Sequence, residues 1–424
     1  MQLAIGLIIF IATFYLIITE KVPGSIATLL GGLSMALVGI ISEHEALNAI
    51  GSRLEIILLL VGMMIIVHFI SETGVFQYLA VKVAQLVKGE PFPLLVLLAV
   101  ITAVCSAFLD NVTTILLMAP VSILLANQLK VDPFVYIMTL IMSANIGGLA
   151  TLIGDPTQLI IGAEGKIGFN DFLVNTAPIA IISLVMLIVT VYFMYGRKMT
   201  VSRDLKARVM ELDASRSLKD IKLLQESATI FALVIFGFLM NNFIDKGLAI
   251  IALSGAILLI LITKRDPVEV FKHVEWDTLF FFMGLFMLIQ GIESIGLVDI
   301  VGDKLLETAD GHLDIAASMV LWVSAMFTAV IGNVANAAMV SKIIHFMTPT
   351  FSDGNTTSLW WALSMGSLLG GNITILASAT NVVAINSANK AGCKISFGKF
   401  MKFGLIIAVQ NLVVANIYLY FRYF

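Results

Sequence analysis

Four polar stretches interrupt long apolar sequences in this chain, and they hold the side chains best suited to binding an ion or a small solute. They read SAFLDNVTT (106–114), GGLATLIGDPTQLI (147–160), GNVANAAMV (332–340) and GGNITILASATNVV (370–383). Gly-Gly and Asp-Pro pairs break helices, and a break frees carbonyl oxygens on one side and N–H groups on the other. Carbonyl oxygens coordinate cations, whereas helix N-termini attract anions. The stretches therefore predict broken helices that bind polar or charged solutes.

Two aspartates, Asp110 and Asp155, stand inside these stretches. A carboxylate at the centre of a membrane-spanning helix costs ~2.5–3.5 kcal/mol on insertion scales, so such residues usually have a function. A proton or cation site is one interpretation, and capping of a helix N-terminus is the other. Their counterparts in the second half of the chain are Gly332 and Ser378, which are uncharged. Only the first half is therefore expected to bind protons or cations through carboxylates.

The elements that must position these residues are membrane-spanning helices. Hydrophobic residues make up 59% of the 424 residues and charged residues only 12%. Soluble domains contain roughly 45–50% apolar and about 25% charged residues, so this chain has far more apolar surface than a soluble core can bury.

The net charge of −3 gives no indication of a nucleic-acid partner. The two cysteines, Cys105 and Cys393, are too few for a disulfide framework or a metal centre.

Ten apolar stretches predict spanning helices, because a span needs about 20 apolar residues. Two further apolar stretches, 92–128 and 314–348, are interrupted by polar residues, and each follows an amphipathic stretch, at 75–89 and 298–309. The ten predicted spans are 2–19, 23–42, 54–71, 134–162, 175–196, 226–244, 247–263, 278–294, 358–389 and 403–421.

The two interrupted stretches are predicted to be re-entrant hairpins, whose tips lie at membrane depth. With the segment 197–225 in the cytoplasm, this topology places 19 of the 25 Lys and Arg residues inside and six outside. That asymmetry agrees with the positive-inside rule and puts both termini outside a plasma (inner) membrane. Two full spans per interrupted stretch would return the chain to the same side, so the charge distribution leaves this alternative open.

The two halves of the sequence match at an offset of 222 to 223 residues. Five spans per half is an odd number, so the second half enters the membrane from the opposite side, which makes an inverted repeat. The predicted organisation is a first repeat at 1–196, a basic cytoplasmic linker at 197–225 and a second repeat at 226–424. Matching residues include the pairs Gly24/Gly247, Gly74/Gly296, Ala107/Ala329, Asn111/Asn333, Gly147/Gly370, Thr151/Thr374 and Thr157/Thr380.

The motifs together resemble the ion transporter superfamily, in the branch that holds arsenite permeases of the ArsB type and the P protein family. The first two polar stretches are similar to the paired signature of that branch. In the second half, EWDTLFFFMGLFML (275–288) and the stretch at 370–383 resemble its later signatures. The resemblance covers essentially the whole chain.

The resemblance implies an all-α integral membrane protein with ten spans, two re-entrant hairpins and two broken helices, assembled as a homodimer. It also implies that both hairpin tips and both helix breaks bind the substrate and the coupling ion. The residues carried over are Asp110, Asn111, Thr113 and Thr114 at the first tip, Gly148, Thr151, Asp155 and Thr157 at the first break, Asn333 and Asn336 at the second tip, and Asn372, Thr374, Ser378 and Asn381 at the second break.

The function expected from these features is secondary active transport of a small inorganic solute. Efflux of arsenite or antimonite coupled to proton entry is the first interpretation, with Asp110 and Asp155 as the proton-coupling groups. Na⁺-coupled transport of a di- or tricarboxylate and Na⁺/H⁺ exchange are alternatives, and an ion channel is an alternative of another class. No enzymatic activity, metal site or cofactor is expected beyond H⁺ or Na⁺ as the coupling ion. The lipid bilayer and a cytoplasmic ATPase subunit are the further partners considered.

Overall fold

The computed structural model describes residues 2–19, 21–244, 246–351 and 356–424, and no β-strand occurs among them. The prediction of an all-α protein is confirmed. The α-helices of these residues are α1 (Gln2–Ile18), α2 (Gly24–Leu37), α3 (Glu43–Gly51), α4 (Leu54–Glu72), α5 (Val75–Leu86), α6 (Pro91–Phe108), α7 (Asn111–Gln128), α8 (Pro133–Gly148), α9 (Pro156–Gly165), α10 (Phe169–Asn175), α11 (Ala177–Met194), α12 (Arg203–Met210), α13 (Ile221–Leu239), α14 (Asn241–Ile244), α15 (Leu248–Thr263), α16 (Pro267–Phe271), α17 (Trp276–Ser294), α18 (Leu297–Ala309), α19 (Leu313–Ile331), α20 (Asn333–Met347), α21 (Thr357–Gly370), α22 (Ala379–Lys390) and α23 (Phe397–Tyr423).

Eight of these helices are long and apolar enough to cross a membrane: α4, α6, α7, α11, α13, α17, α19 and α23. The apolar helices α1, α2, α8 and α15 are shorter, at 14 to 17 residues. Large apolar side chains are exposed on the outer helices, for example Ile181 and Val185 on α11 and Phe421 on α23. This surface is suited to lipid, so the prediction of a multi-pass membrane protein is confirmed.

The helices are interrupted at all four polar stretches. Leu109 and Asp110 separate α6 from α7, and Gly332 separates α19 from α20. Residues 149–155 separate α8 from α9, and residues 371–378 separate α21 from α22. Local chemistry explains the first break, because Pro156 lacks a backbone N–H and is tolerated only in the first turn of a helix, where it begins α9.

Helix packing follows the same pattern in the two halves. The helix pair α6 and α8 corresponds to the pair α19 and α21, and each pair is in extensive contact. Other contacts cross between the halves, with α2 on α17, α4 on α15, α7 on α22 and α9 on α20. The equivalent residues Gly74 and Gly296 even share one left-handed conformation, with φ +76° and ψ 15°. This pattern supports the internal repeat, while the membrane orientation of each half and the re-entrant topology stay predictions.

Several element boundaries differ from the sequence prediction. The spanning helix α13 begins at Ile221, inside the segment 197–225 predicted as a linker, because Asp220 accepts a hydrogen bond from the N–H of Leu223 (2.9 Å). Helix α2 ends at Leu37, earlier than the predicted 42, since Gly39 turns the chain at φ +73°. The remaining linker contains α12 and a short 3₁₀ turn (Ala214–Ser217), and both contact α5.

Candidate substrate and ion site

The first hairpin tip is built around Asp110, which is the N-cap residue of α7. Its two carboxylate oxygens accept hydrogen bonds from the N–H groups of Val112 (2.9 Å) and Thr113 (2.8 Å). The hydroxyl of Thr113 donates to the same carboxylate (2.5 Å). Asp110 is half-buried and borders a cavity. The structure therefore shows that Asp110 caps a helix and also borders the cavity, while its role as a proton or cation site stays a prediction.

Asp155 joins three elements from both halves of the chain. It is the N-cap residue of α9 and accepts a hydrogen bond from the N–H of Thr157 (2.8 Å). Its carboxylate also accepts from the side-chain amide of Asn111 (2.7 Å) at the first tip and from that of Asn333 (3.2 and 3.3 Å) at the second. Only 2% of Asp155 is exposed. One buried carboxylate thus ties both hairpin tips to the first helix break.

Ser378 occupies the equivalent position at the second break. Its backbone angles (φ −149°, ψ 138°) are nearly those of Asp155 (φ −148°, ψ 141°), so the two breaks share one local geometry. The side chain of Ser378 forms no capping hydrogen bond with α22, and Gly332 has no side chain with which to cap α20. The N-termini of α7 and α9 are therefore capped by carboxylates, whereas the equivalent residues before α20 and α22 provide none.

A second polar cluster consists of Asn145, Asn372 and Asn381. The amide of Asn145 on α8 donates to the side-chain oxygens of Asn372 (2.9 Å) and Asn381 (3.1 Å) at the second break. The amide of Asn381 donates to the carbonyl groups of Gly371 (2.7 Å) and Thr374 (2.9 Å). Sequence reasoning predicted Asn372 and Asn381 but missed Asn145. Its signal was an amide side chain inside a predicted span, two residues before a Gly-Gly pair.

Other predicted site residues hold the breaks together. The hydroxyl of Thr151 donates to the carbonyl of Ala107, and the hydroxyl of the equivalent Thr374 donates to the carbonyl of the equivalent Ala329 (2.7 Å). Each threonine therefore fastens a break to the first arm of the hairpin in its own half. These bonds occupy the hydroxyl protons, and neither threonine lines the cavity, so the contacts seen here are positioning contacts.

Three of the remaining predicted residues also lie outside the lining of the cavity. Gly148 packs against Asn111, whose side chain would overlap any Cβ atom placed there. The amide of Asn336 donates to the hydroxyl of Ser367 (2.8 Å). Thr114 is fully buried on α7, and it does not line the cavity.

The cavity has a volume of about 310 Å³ and lies between the tips and breaks on one side and α4 and α17 on the other. Four carboxylates line it: Asp110, Asp155, Glu275 and Asp277. No Lys, Arg or His is found among the described residues of its lining. Such a lining strongly favours protons and cations.

Glu275 and Asp277 were missed as site residues by sequence reasoning. Glu275 accepts a hydrogen bond from the hydroxyl of Thr278 (3.1 Å), and Asp277 accepts one from Ser25 of α2. In the sequence these two acids flank Trp276 just before a predicted span. Acids at that position commonly cap a helix at the membrane interface, so the pattern alone does not indicate a binding site. Only the approach of this helix end to the first tip makes them part of the cavity.

Residues 14–366 match the family described as citrate transporter. The chain belongs to the citrate transporter family. An uncharacterised transporter of Mycobacterium tuberculosis is 33% identical to this family member over 423 residues, covering 99% of this chain and 98% of the relative.

Other relatives place this citrate transporter family member in the predicted superfamily branch. The P protein of Homo sapiens is 30% identical over 499 aligned residues, which cover 99% of this chain but 60% of the human protein. The crystal structure of the Alcanivorax borkumensis YdaH transporter matches with a TM-score of 0.61 at 12% identity, covering 96% of this chain and 97% of that one. The resemblance to the P protein branch is confirmed, and the protein is a membrane transporter and not an enzyme.

Replacing Asn145 with leucine is expected to destabilise this family member by about 2–6 kcal/mol. The substitution keeps the number of side-chain heavy atoms but leaves the oxygens of Asn372 and Asn381 buried without their donor, and each unsatisfied polar group costs about 1–3 kcal/mol. Thermal unfolding of the purified protein in detergent measures the effect. Asn48→Leu on the exposed face of α3 is the control and should melt like the wild type. An unchanged melting temperature for Asn145→Leu would contradict this role.

Proposed function

We propose that the protein is a secondary transporter that couples the passage of a small solute to the movement of protons through the cavity. The observation that carries this proposal is the cavity itself, where both tips and both breaks meet four carboxylates without a basic side chain among the described lining. Several negative charges in one site repel one another, so occupancy by protons or cations must accompany the solute. Coupling then follows from electrostatics, because the loaded and unloaded sites differ in charge.

Arsenite, or its antimony analogue, is the solute we propose first. Arsenous acid is uncharged at neutral pH, so it can enter an acidic cavity without compensating charge and bind through hydrogen bonds. Cys105 is half-buried and lies outside the cavity lining, which supports hydrogen bonding by amides and hydroxyls rather than capture by a thiolate. Export against a gradient then uses proton entry, since one charge moving across 100 mV provides ~2.3 kcal/mol.

A di- or tricarboxylate is the second candidate, and two observations favour it. The family is described as citrate transporter. In addition, Gly332 and Ser378 provide no carboxylate cap to α20 and α22. The side-chain oxygen of Asn333 accepts from the N–H of Val334 (3.0 Å) but carries no charge, and helix N-termini attract anions. The cavity carboxylates oppose an anion, so this candidate requires cations such as Na⁺ or H⁺ to enter with it.

Transport in proteoliposomes distinguishes these candidates. Purified protein is reconstituted with an internal pH dye, and arsenite, citrate or succinate is added with and without an imposed proton or Na⁺ gradient. Saturable flux that is driven by a gradient supports the proposal, and the solute that moves identifies the substrate. Ohmic conductance, or no gradient-driven flux of any of the three, would contradict it.

An ion-pair network, formed by Arg53, Glu164, Glu293 and Lys342, supports alternating access. Arg53 at the start of α4 contacts Glu164 at the end of α9, with Nε 2.8 Å from the carboxylate. Lys342 on α20 contacts Glu293 at the end of α17 (3.3 Å) and lies 4.0 Å from Glu164. Under the predicted topology this network lies on the outer side, opposite the end of the cavity that holds Glu275 and Asp277. We propose that it closes the outer side while the cavity is open to the cytoplasm.

Weakening this network with Glu164→Gln is expected to shift the protein toward an outward-open state. The reporter is a cysteine at Ala379, an exposed residue of the cavity lining, in a variant whose native Cys105 and Cys393 are alanine. An impermeant thiol reagent added outside should react about tenfold faster when Glu164 is neutral, because removing a half-buried partner changes the conformational balance. The control Glu307→Gln removes an exposed ion pair with Lys304 and should leave the rate unchanged. Equal rates in all variants would contradict this gate.

The resemblance also implies a homodimer, and arsenite systems include a cytoplasmic ATPase subunit. Both partners stay predictions, as do the plasma membrane location and the outer placement of both termini. Cross-linking in native membranes and co-purification from cells test the two partners directly. The transport assay above needs neither of them, because it uses the purified chain alone.

A further inference from the structure

Three potential metal ligands converge at the end of α4, outside the site described above. His68 and Glu72 lie one helical turn apart on this helix, and His273 lies in the segment between α16 and α17. One ligand atom from each of the three side chains lies within 4.8 Å of the other two. Two imidazoles and a carboxylate form a ligand set that is typical of zinc sites with an open fourth position.

The ligand atoms lie close together, although the two imidazole rings are stacked and one of them must rotate to bind a shared ion. The imidazole rings of His68 and His273 are nearly parallel (14°), with centroids 3.9 Å apart. The Nε2 atom of His68 lies 3.4 Å from a carboxylate oxygen of Glu72. A tetrahedral ion with bonds of about 2.0–2.2 Å brings its ligand atoms within about 3.4 Å of one another. The exposed ring of His273 must therefore rotate so that one of its nitrogen atoms moves toward the other two ligand atoms.

The surroundings also suit a metal that enters from water. The side chain of His68 is 15% exposed and that of Glu72 is 36% exposed, so the ligand atoms are accessible yet partly shielded. Arg265 contacts the second oxygen of Glu72 (3.5 Å), so the first oxygen, which faces His68, is the one available to an ion. A charged partner behind a ligating carboxylate is an outer-shell feature that orients the ligand.

We propose that His68, Glu72 and His273 bind one Zn²⁺ ion per chain, with water as the fourth ligand. The ion would connect α4 to the segment that leads into α17, and both elements line the cavity. His273 stands only two residues before Glu275, one of the cavity carboxylates. Zinc therefore sets the distance between two walls of the cavity, which gives the cell a means to regulate transport.

Direct metal binding tests this proposal without a transport assay. Purified full-length protein is stripped with a chelator, and ZnCl₂ is titrated in competition with a chromophoric zinc indicator. We expect one saturable site per chain, and CoCl₂ should produce visible absorption bands of a four-coordinate ion at the same stoichiometry. The variants His68→Asn and His273→Asn should each lower the affinity by about 100-fold.

The control for these variants is His312→Asn, which removes an exposed histidine elsewhere in the chain and should bind zinc like the wild type. Metal-free melting temperatures of all variants report whether each one folds, and zinc should raise the melting temperature of the wild type but not that of His68→Asn. No saturable binding to the wild type would overturn the proposal, as would undiminished binding in a folded His68→Asn, His273→Asn double variant. A failure of solute transport leaves this result unaffected.

Discussion

Replacing Asp110 with asparagine is expected to abolish proton-driven transport while leaving solute exchange intact. The amide has nearly the shape of the carboxylate, and its oxygen can still accept a bond from the start of α7. It can no longer gain or lose a proton, so this position, on which the proposed coupling depends, keeps one charge state throughout the cycle. We expect proton-driven uptake into proteoliposomes to fall by at least 100-fold, or about 2.7 kcal/mol. Exchange of solute at equal concentrations should stay within about threefold of the wild-type rate.

Asp132→Asn is the matched control for this experiment. Asp132 is also an N-cap residue, accepting a hydrogen bond from the N–H of Phe134 (3.0 Å) at the start of α8, but it does not line the cavity. Its replacement changes the same chemical group in the same kind of structural position. Proton-driven uptake that survives in Asp110→Asn, or that is lost equally in Asp132→Asn, would remove Asp110 from the coupling mechanism.

Replacing Asp155 with alanine is expected to destabilise the protein and to inactivate it. The change removes a helix cap, worth about 1 kcal/mol, and the charged acceptor of two buried amides, those of Asn111 and Asn333. Hydrogen bonds to charged groups contribute about 1.5–3 kcal/mol each, so together with the cap a total loss of about 4–7 kcal/mol is expected. The apparent melting temperature in detergent and solute exchange in proteoliposomes measure the two effects.

Two further variants separate the parts of this effect. Asp266→Ala removes the exposed cap of α16 and should cost only about 1 kcal/mol. Asp155→Asn retains the cap through its oxygen but turns a donor toward the amides of Asn111 and Asn333. We expect an intermediate stability for this variant and loss of exchange, because the tips are no longer held together. A wild-type melting temperature for Asp155→Ala would show that the contacts of Asp155 with the two tips and α9 do not stabilise the fold.

The two aspartates therefore have different tasks in the proposed mechanism, although the sequence presents them as a similar pair. Asp110 bonds only within its own tip and borders the cavity, so its charge is available to a proton or a cation. Asp155 is buried among donors from three elements, so it chiefly holds the tips at the break. Their equivalents Gly332 and Ser378 leave α20 and α22 without a carboxylate cap, which makes the two halves of the site electrostatically unlike.

The sequence by itself determined the class of the protein and the location of its breaks. Apolar stretches long enough to span a bilayer predict helices, and Gly-Gly, Asp-Pro and Asp-Asn pairs interrupt them where the structure shows the ends of α6, α8 and α21. These features follow from local properties: helix propensity, the missing N–H of proline and the capping of an N-terminus by a short polar side chain. The internal repeat reinforced them, since equivalent motifs fall at a nearly constant offset of 222 to 223 residues.

Tertiary structure alone decided which polar side chains meet and which of them face the cavity. Asn145 reaches Asn372 more than two hundred residues away, and Glu275 joins the cavity only because α17 begins beside the first tip. Thr151 and Thr374, equally plausible as ligands from their motifs, instead donate to carbonyl groups of the neighbouring hairpin arms. A sequence motif predicts where a helix breaks, because helix breaking depends on the residues at that position. The partner of each freed polar group depends on how distant helices pack, and no single stretch of sequence contains that information.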